Sequence, residues 1–239
     1  MAITTRPVEY AHDGTALEGM LAYDDAQNGK RPVVLISHAW AGRTHGEIGF
    51  AKETAKHGYA AFAIDLYGKG VTGSTKEECQ ALMSPLASDR PKLQSRLLHV
   101  LDVIKDLPEV DPAKIVAMGF CFGGLCVLDI ARTGADVKGV ASFHGILGAP
   151  GNTAGNKIKA KIIAYHGWDD PMVPPEDVVA FGKEMTAAKA DWRLLAHGGA
   201  MHAFMNTEAN DPDFGTVYNK NAADRSWASF LGFLKECFG

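Results

Sequence analysis

Short, almost wholly apolar runs recur along this chain, each followed by a longer stretch with helical spacing. Pro32-Val33-Val34-Leu35-Ile36-Ser37 precedes Glu47–His57, which Gly58 closes, and Tyr59–Leu66 precedes a helical region that ends at Leu107 before Pro108. Asp111-Pro112 makes a turn before Lys114–Met118, which leads through a glycine-flanked corner into Leu125–Arg132. Val137–Phe143, Ile158–His166 and Trp192–His197 are further strand candidates. Pro174-Pro175-Glu176-Asp177 opens another helix, and a last one surrounds Ser226–Glu236. A strand that is apolar on both faces must be covered on both. The pattern therefore predicts an α/β protein with a mostly parallel central sheet and helices on each side. No repeat, low-complexity run or Gly/Ser/Pro-rich linker divides the 239 residues, so a single domain over residues 1–239 is expected.

Composition removes several classes. Apolar residues at 46% and charged residues at 22% are those of a globular protein rather than a disordered, collagenous or coiled-coil chain. A net charge of −4 supplies no footprint for nucleic acid or an anionic membrane. The apolar runs are too short to span a bilayer, and Met1–Tyr10 lacks the apolar centre of a signal peptide. The four cysteines (Cys79, Cys121, Cys126 and Cys237) form no CxxC pair, which reads as a reduced, cytoplasmic setting.

In sheets of this kind, chemistry gathers beyond the carboxyl ends of the strands. After Lys114–Met118 the chain reads Gly119-Phe120-Cys121-Phe122-Gly123-Gly124, a Gly-x-nucleophile-x-Gly corner with cysteine at its centre. Side chains two residues to either side of such a corner would collide with strand or helix, which favours glycine there. The corner projects the sulfur at a helix N-terminus, where the helix dipole favours the reactive thiolate. The plainer reading of a free cysteine is a small buried apolar residue, and it suits Cys126 and Cys237.

A thiol nucleophile needs an imidazole, and chain order places an acid and then a histidine after it. Asp169 and Asp170 follow the strand ending at His166, and adjacent positions cannot both face one ring. Asp170 is the expected orienting carboxylate, with Asp169 at the surface. His202, in the loop Gly198-Gly199-Ala200-Met201-His202, is the expected base, and His197 is the alternative.

Together these residues resemble the dienelactone hydrolase family of α/β-hydrolases, along nearly the whole chain. Gly119–Gly124, Ile64-Asp65-Leu66-Tyr67-Gly68 and Gly167–Pro174 carry the likeness. The resemblance implies hydrolysis of a small-molecule carboxylic ester or lactone with no metal or organic cofactor. It also implies an oxyanion hole of two backbone N–H groups, mapped to Trp40 and Phe122. Two positions depart from the family pattern: Ala39 stands where a glutamate is usual after His38, and Asn206 stands where an arginine pairs with a substrate carboxylate. Losing that cation favours neutral esters over anionic lactones. His38, Ala39, Trp40, Tyr67, Met83, Leu86, Phe204, Met205 and Asn206 are candidates for the substrate pocket.

The same constellation admits a phosphotriester or thioester as electrophile. A different class of reading is a non-catalytic hydrolase-like protein in which Cys121 senses oxidants. The chain is expected to act as a monomer or homodimer, with no nucleic-acid or membrane partner. Gly68-Lys69-Gly70-Val71-Thr72-Gly73 matches a dinucleotide fingerprint in spacing only, because no strand follows to carry its acidic residue. His45-Gly46-Glu47 has no following Pro-Cys-x-x-Cys, and no His-Glu-x-x-His occurs, so a zinc site is not expected.

Overall fold

The structure, a computed structural model, describes residues 2–239. The chain falls into two compact units, one up to Ala117 and one from Met118 to Gly239.

The first unit opens with a hairpin that the apolar-run pattern does not reveal. Strands β1 (Ile3–His12) and β2 (Thr15–Asp24) pair antiparallel from Ile3 opposite Asp24 to His12 opposite Thr15. The two-residue turn between them is Asp13-Gly14, both with positive φ (47° and 72°), a conformation that matches the twist of the flanking strands. Strand β2 then pairs antiparallel with β4 (Ala60–Ala63), and β4 pairs in parallel with β3 (Arg31–Ser37). Every residue of β4 is buried, as its unbroken apolar sequence requires.

Helix α1 (His45–Ala55) starts at a capping box, where Thr44 and Glu47 satisfy each other's exposed N–H groups. Helix α2 (Lys76–Ala87) uses the same device with Thr75 and Glu78, and α3 (Arg90–Lys105) is capped by Asp89. A break at Ser88–Asp89 thus splits what reads in sequence as one long helical region. Strand β5 (Val110–Phe120) starts in this unit and ends, at Met118–Phe120, in the next.

The second unit holds α4 (Phe122–Arg132), β6 (Gly139–Phe143), β7 (Lys161–Gly167), α5 (Pro175–Ala187) and β8 (Trp192–His197), followed by the short pair β9 (Asn210–Asp211) and β10 (Thr216–Val217) and by α6 (Lys220–Phe238). Strands β6, β7 and β8 are parallel neighbours in that order. Helix α6 buries Ala222, Ser226, Phe230, Phe233 and Leu234, one stripe at helical spacing. Its large side chains each contribute roughly 1.5–3 kcal/mol by leaving water. Among the described residues, no helix is long and apolar enough to cross a membrane.

Candidate active site

The corner after β5 is forced by close backbone approach. A Cβ on Gly119 would lie 2.1 Å from the carbonyl oxygen of Gly123, and one on Gly124 would lie 2.6 Å from Gly145 Cα and from Ser142 Oγ. Gly119, two residues before the nucleophile position, thus faces Gly123 within the corner itself, whereas Gly124, three residues after it, has a tertiary partner at Gly145. Cys121 takes φ 54° and ψ −115°, a left-handed conformation that costs a non-glycine residue on the order of 1–3 kcal/mol. Its backbone is pinned on both sides: the N–H donates to Phe143 O at 3.1 Å, and the carbonyl accepts from Gly124 and Leu125. The side chain is half-buried. Phe122 is the first residue of α4, so its backbone lies at the positive end of the helix dipole.

Of the two adjacent aspartates, Asp169 is exposed and Asp170 turns inward, 2% exposed. Asp170 Oδ1 accepts from the Met172 N–H at 2.8 Å, leaving Oδ2 for the Nδ1 of His202 at 2.7 Å. His202 is also buried, and its backbone is held by Gly215 and Val217 at 3.0 Å each. Gly167 makes room for this loop, since a Cβ there would lie 2.6 Å from the carbonyl oxygens of Ala200 and Met201. Burial opposes a charged His202 ring. The Cys121 sulfur and the Asp170 carboxylate outweigh it and push the pKa up to about 10. Among the described residues Nε2 has no partner of full hydrogen-bond geometry, so its link to Cys121 is chiefly one of charge. His197, the alternative base, instead meets Ser226 Oγ at 2.9 Å.

The remaining sequence candidates divide between the units. In the first, His38 is fully buried and uses both nitrogens locally: Nδ1 donates to Ala39 O at 2.6 Å and Nε2 accepts from the Leu66 N–H at 3.2 Å. Burial lowers its pKa, keeping the ring neutral. The Tyr67 hydroxyl donates to Trp40 O at 3.0 Å and its ring meets His38 edge-on, so His38, Ala39, Trp40 and Tyr67 form one loop cluster. The Ala39 N–H reaches Glu47 Oε1 at 3.4 Å. Met83 and Leu86 lie on α2, half-buried and buried respectively. In the second unit, Phe204 is fully buried with its ring edge-on to His144 and His197, and Met205 is buried beside it in sequence. Asn206 is exposed and its Oδ1 caps the Glu208 N–H at 3.0 Å.

One residue that the sequence did not single out meets the site directly. His144 follows β6, is 3% exposed, and stands edge-on to the His202 ring with centroids 5.2 Å apart. Its position right after an apolar strand, like that of the other site residues, was the available signal. Among the described residues, no group of three or more His, Cys, Asp or Glu is placed to hold a metal ion.

Parallel strands carrying a strained corner, followed in chain order by a buried acid and histidine, define an α/β-hydrolase. The chain belongs to the dienelactone hydrolase family, whose profile matches residues 17–238. It is a hydrolase of the dienelactone hydrolase type. It is 32% identical to a solved dienelactone hydrolase-like promiscuous phosphotriesterase from metagenomic libraries, with a TM-score of 0.93 and all of both chains covered. A structure named m3DLH is 31% identical with a TM-score of 0.94, again over 100% of both chains. An uncharacterised Caenorhabditis elegans protein is 42% identical over 160 residues, 64% of this chain and 99% of that one.

Proposed function

We propose that the protein hydrolyses small neutral esters or lactones through a Cys121 acyl-enzyme, with His202 as acid–base and Asp170 as its orienting carboxylate. The observation that carries this reading is the buried 2.7 Å contact from Asp170 to His202, whose other nitrogen is left for the half-buried sulfur at the corner. Burial opposes the charged His202 ring, and the Cys121 sulfur is the strongest influence favouring it, which pairs the two groups electrostatically.

In the first half-reaction the thiolate attacks the carbonyl carbon, and the carbonyl π pair moves to oxygen. Backbone N–H groups stabilise that oxyanion. Phe122, at the start of α4, is the donor that stands beside the nucleophile in the chain. Collapse expels the alkoxide, which takes the proton from His202 Nε2 and leaves a thioester. In the second half-reaction His202 removes a proton from water, hydroxide adds to the thioester, and the thiolate departs with the carboxylic acid released. Asp170 holds the Nδ1–H tautomer throughout.

With Ala39 in place of the family's glutamate, the chain lacks the acidic side chain that the family pattern places after His38. With Asn206 in place of an arginine, no cation is supplied for a substrate carboxylate. Both favour neutral substrates. A phosphotriester is the second reading, supported by the likeness to the promiscuous phosphotriesterase: the same sulfur would attack phosphorus and displace the most acidic alcohol.

The test is electrospray mass measurement after rapid mixing with an activated aryl ester, beside Cys121→Ala. An acyl mass that appears and decays with a burst of phenol in the parent alone is the expected result. A parent adduct that never turns over would replace the enzyme reading with the sensor reading, and turnover by Cys121→Ala would remove Cys121 from the chemistry.

A further inference from the structure

We propose that His144 is a positioning residue for His202, its ring braced across the His202 imidazole so that Nε2 keeps its aim at Cys121. The inference rests on the reading of His202 as the base. The contact is edge-to-face, with centroids 5.2 Å apart and planes at 67°. His144 is itself clamped from other sides by Phe204, at 5.2 Å and 79°, and by Phe120, at 5.9 Å and 35°.

The need for a brace follows from the bonding of His202. Among the described residues its ring makes one side-chain hydrogen bond of full geometry, from Nδ1 to Asp170, while Nε2 makes none. One such bond fixes a line, and the ring plane can still tilt about that line. A second, rigid ring against the imidazole removes the tilt. His144 is rigid because its backbone is tied to the elements that carry the site. Its N–H donates to Tyr165 O at 2.8 Å, the preceding Phe143 O accepts the Cys121 N–H at 3.1 Å, and the following Gly145 abuts Gly124 of α4. The same three residues thus touch the nucleophile's corner and the base.

Stability alone does not account for a histidine here. Among the described residues neither ring nitrogen has a hydrogen-bond partner and both are buried, a costly state for polar atoms. The backbone sits at φ 39°, which few non-glycine residues adopt readily. Such unfavourable features collect where function requires them. Burial, and then the positive charge of His202, hold the His144 pKa well below its usual value. The ring is therefore neutral, and a neutral aromatic ring can lie against an imidazolium without repelling it.

The deciding variants are His144→Asn, which removes the ring but tolerates positive φ, and His144→Phe, which restores an uncharged ring. Steady-state kinetics on an aryl ester would be read with the NMR resonance of the His202 Nδ1 proton, and Cys121→Ala would run beside them. The expected result is a kcat loss of roughly ten- to a hundredfold in His144→Asn with KM within about twofold, as for a slightly misplaced catalytic group. The Nδ1 proton line should broaden in that variant, and His144→Phe should recover kcat to within about threefold of the parent. Parent-like kcat and a sharp line in His144→Asn, with Cys121→Ala inactive, would overturn the positioning role and leave the triad standing. A folded His144→Phe as slow as His144→Asn would also overturn it, since ring packing would then not be what matters. An active Cys121→Ala would instead overturn the triad. Where the larger ring prevents folding, kcat and line width in His144→Asn decide alone.

Discussion

Asp170 and His202 stand 32 positions apart in the chain, yet Oδ2 of one and Nδ1 of the other meet at 2.7 Å in a pocket that leaves each about 2% exposed. The loop after β7 brings the carboxylate, and the Gly215–Val217 backbone holds the histidine. Neither element makes the contact without the other.

Asp170→Asn should keep the fold and lose most of the activity. The amide cannot stabilise an imidazolium, and it favours the wrong tautomer. A fall in kcat of about 10²–10⁴ with little change in KM is expected from initial-rate kinetics on an aryl ester. A variant within tenfold of the parent would show that the carboxylate does not orient the base.

Removing the sulfur should change how His202 titrates. Cys121 is the largest influence favouring the charged ring, ahead of Asp170, so Cys121→Ala should lower the His202 pKa from about 10. NMR titration of the ring protons measures this directly. An unchanged midpoint would mean that sulfur and ring are not electrostatically paired.

Stability should decline on the acid side. Burial holds His38 and His144 neutral in the folded protein, with folded pKa values below the unfolded 6.5. The unfolded chain therefore binds more protons as pH falls below about 6.5, and each such histidine then costs about 1.4 kcal/mol per pH unit. His202, raised to about 10, is charged in both states at acid pH and adds little opposing slope there, so urea midpoints between pH 6 and 5 should drop with a slope steeper than one proton. A flat response would contradict the neutral, buried state of these rings.

Gly124→Ala tests the close approach behind the corner. The added methyl would meet backbone at Gly145 and the Ser142 hydroxyl at 2.6 Å, and backbone cannot swing aside as a side-chain tip can. A loss of roughly 1–3 kcal/mol in thermal or urea unfolding is expected, together with reduced kcat. Parent-like stability would show that the corner has slack.

Asn206→Arg should shift substrate choice. An exposed arginine four residues after His202 restores the cation that the family pattern places there. The ratio of kcat/KM for an anionic lactone over a neutral ester should rise by about tenfold or more, the effect of a charge-assisted contact. An unchanged ratio would separate this position from substrate recognition.

Much of this was legible without coordinates, because it follows from local chemistry. The glycine-flanked Cys121 corner, the apolar parallel strands and the order acid-then-histidine are each set by neighbouring residues and strand ends. The Asp13-Gly14 turn is a local hairpin signal as well, but β1 alternates rather than running continuously apolar and so falls outside the apolar-run pattern. The break at Ser88–Asp89 required the cap of α3 to be recognised within one long helical stretch.

The sequence by itself determined the class of fold, the chain order of the site residues and the strain built into Cys121. Only the tertiary structure decided that Asp170 rather than Asp169 turns inward, that His197 faces Ser226, and that the His144 ring stands edge-on to His202. The physical reason is reach: periodicity and turn chemistry act over a few residues, whereas the direction of a buried ring is set by whichever distant side chains fill the space around it.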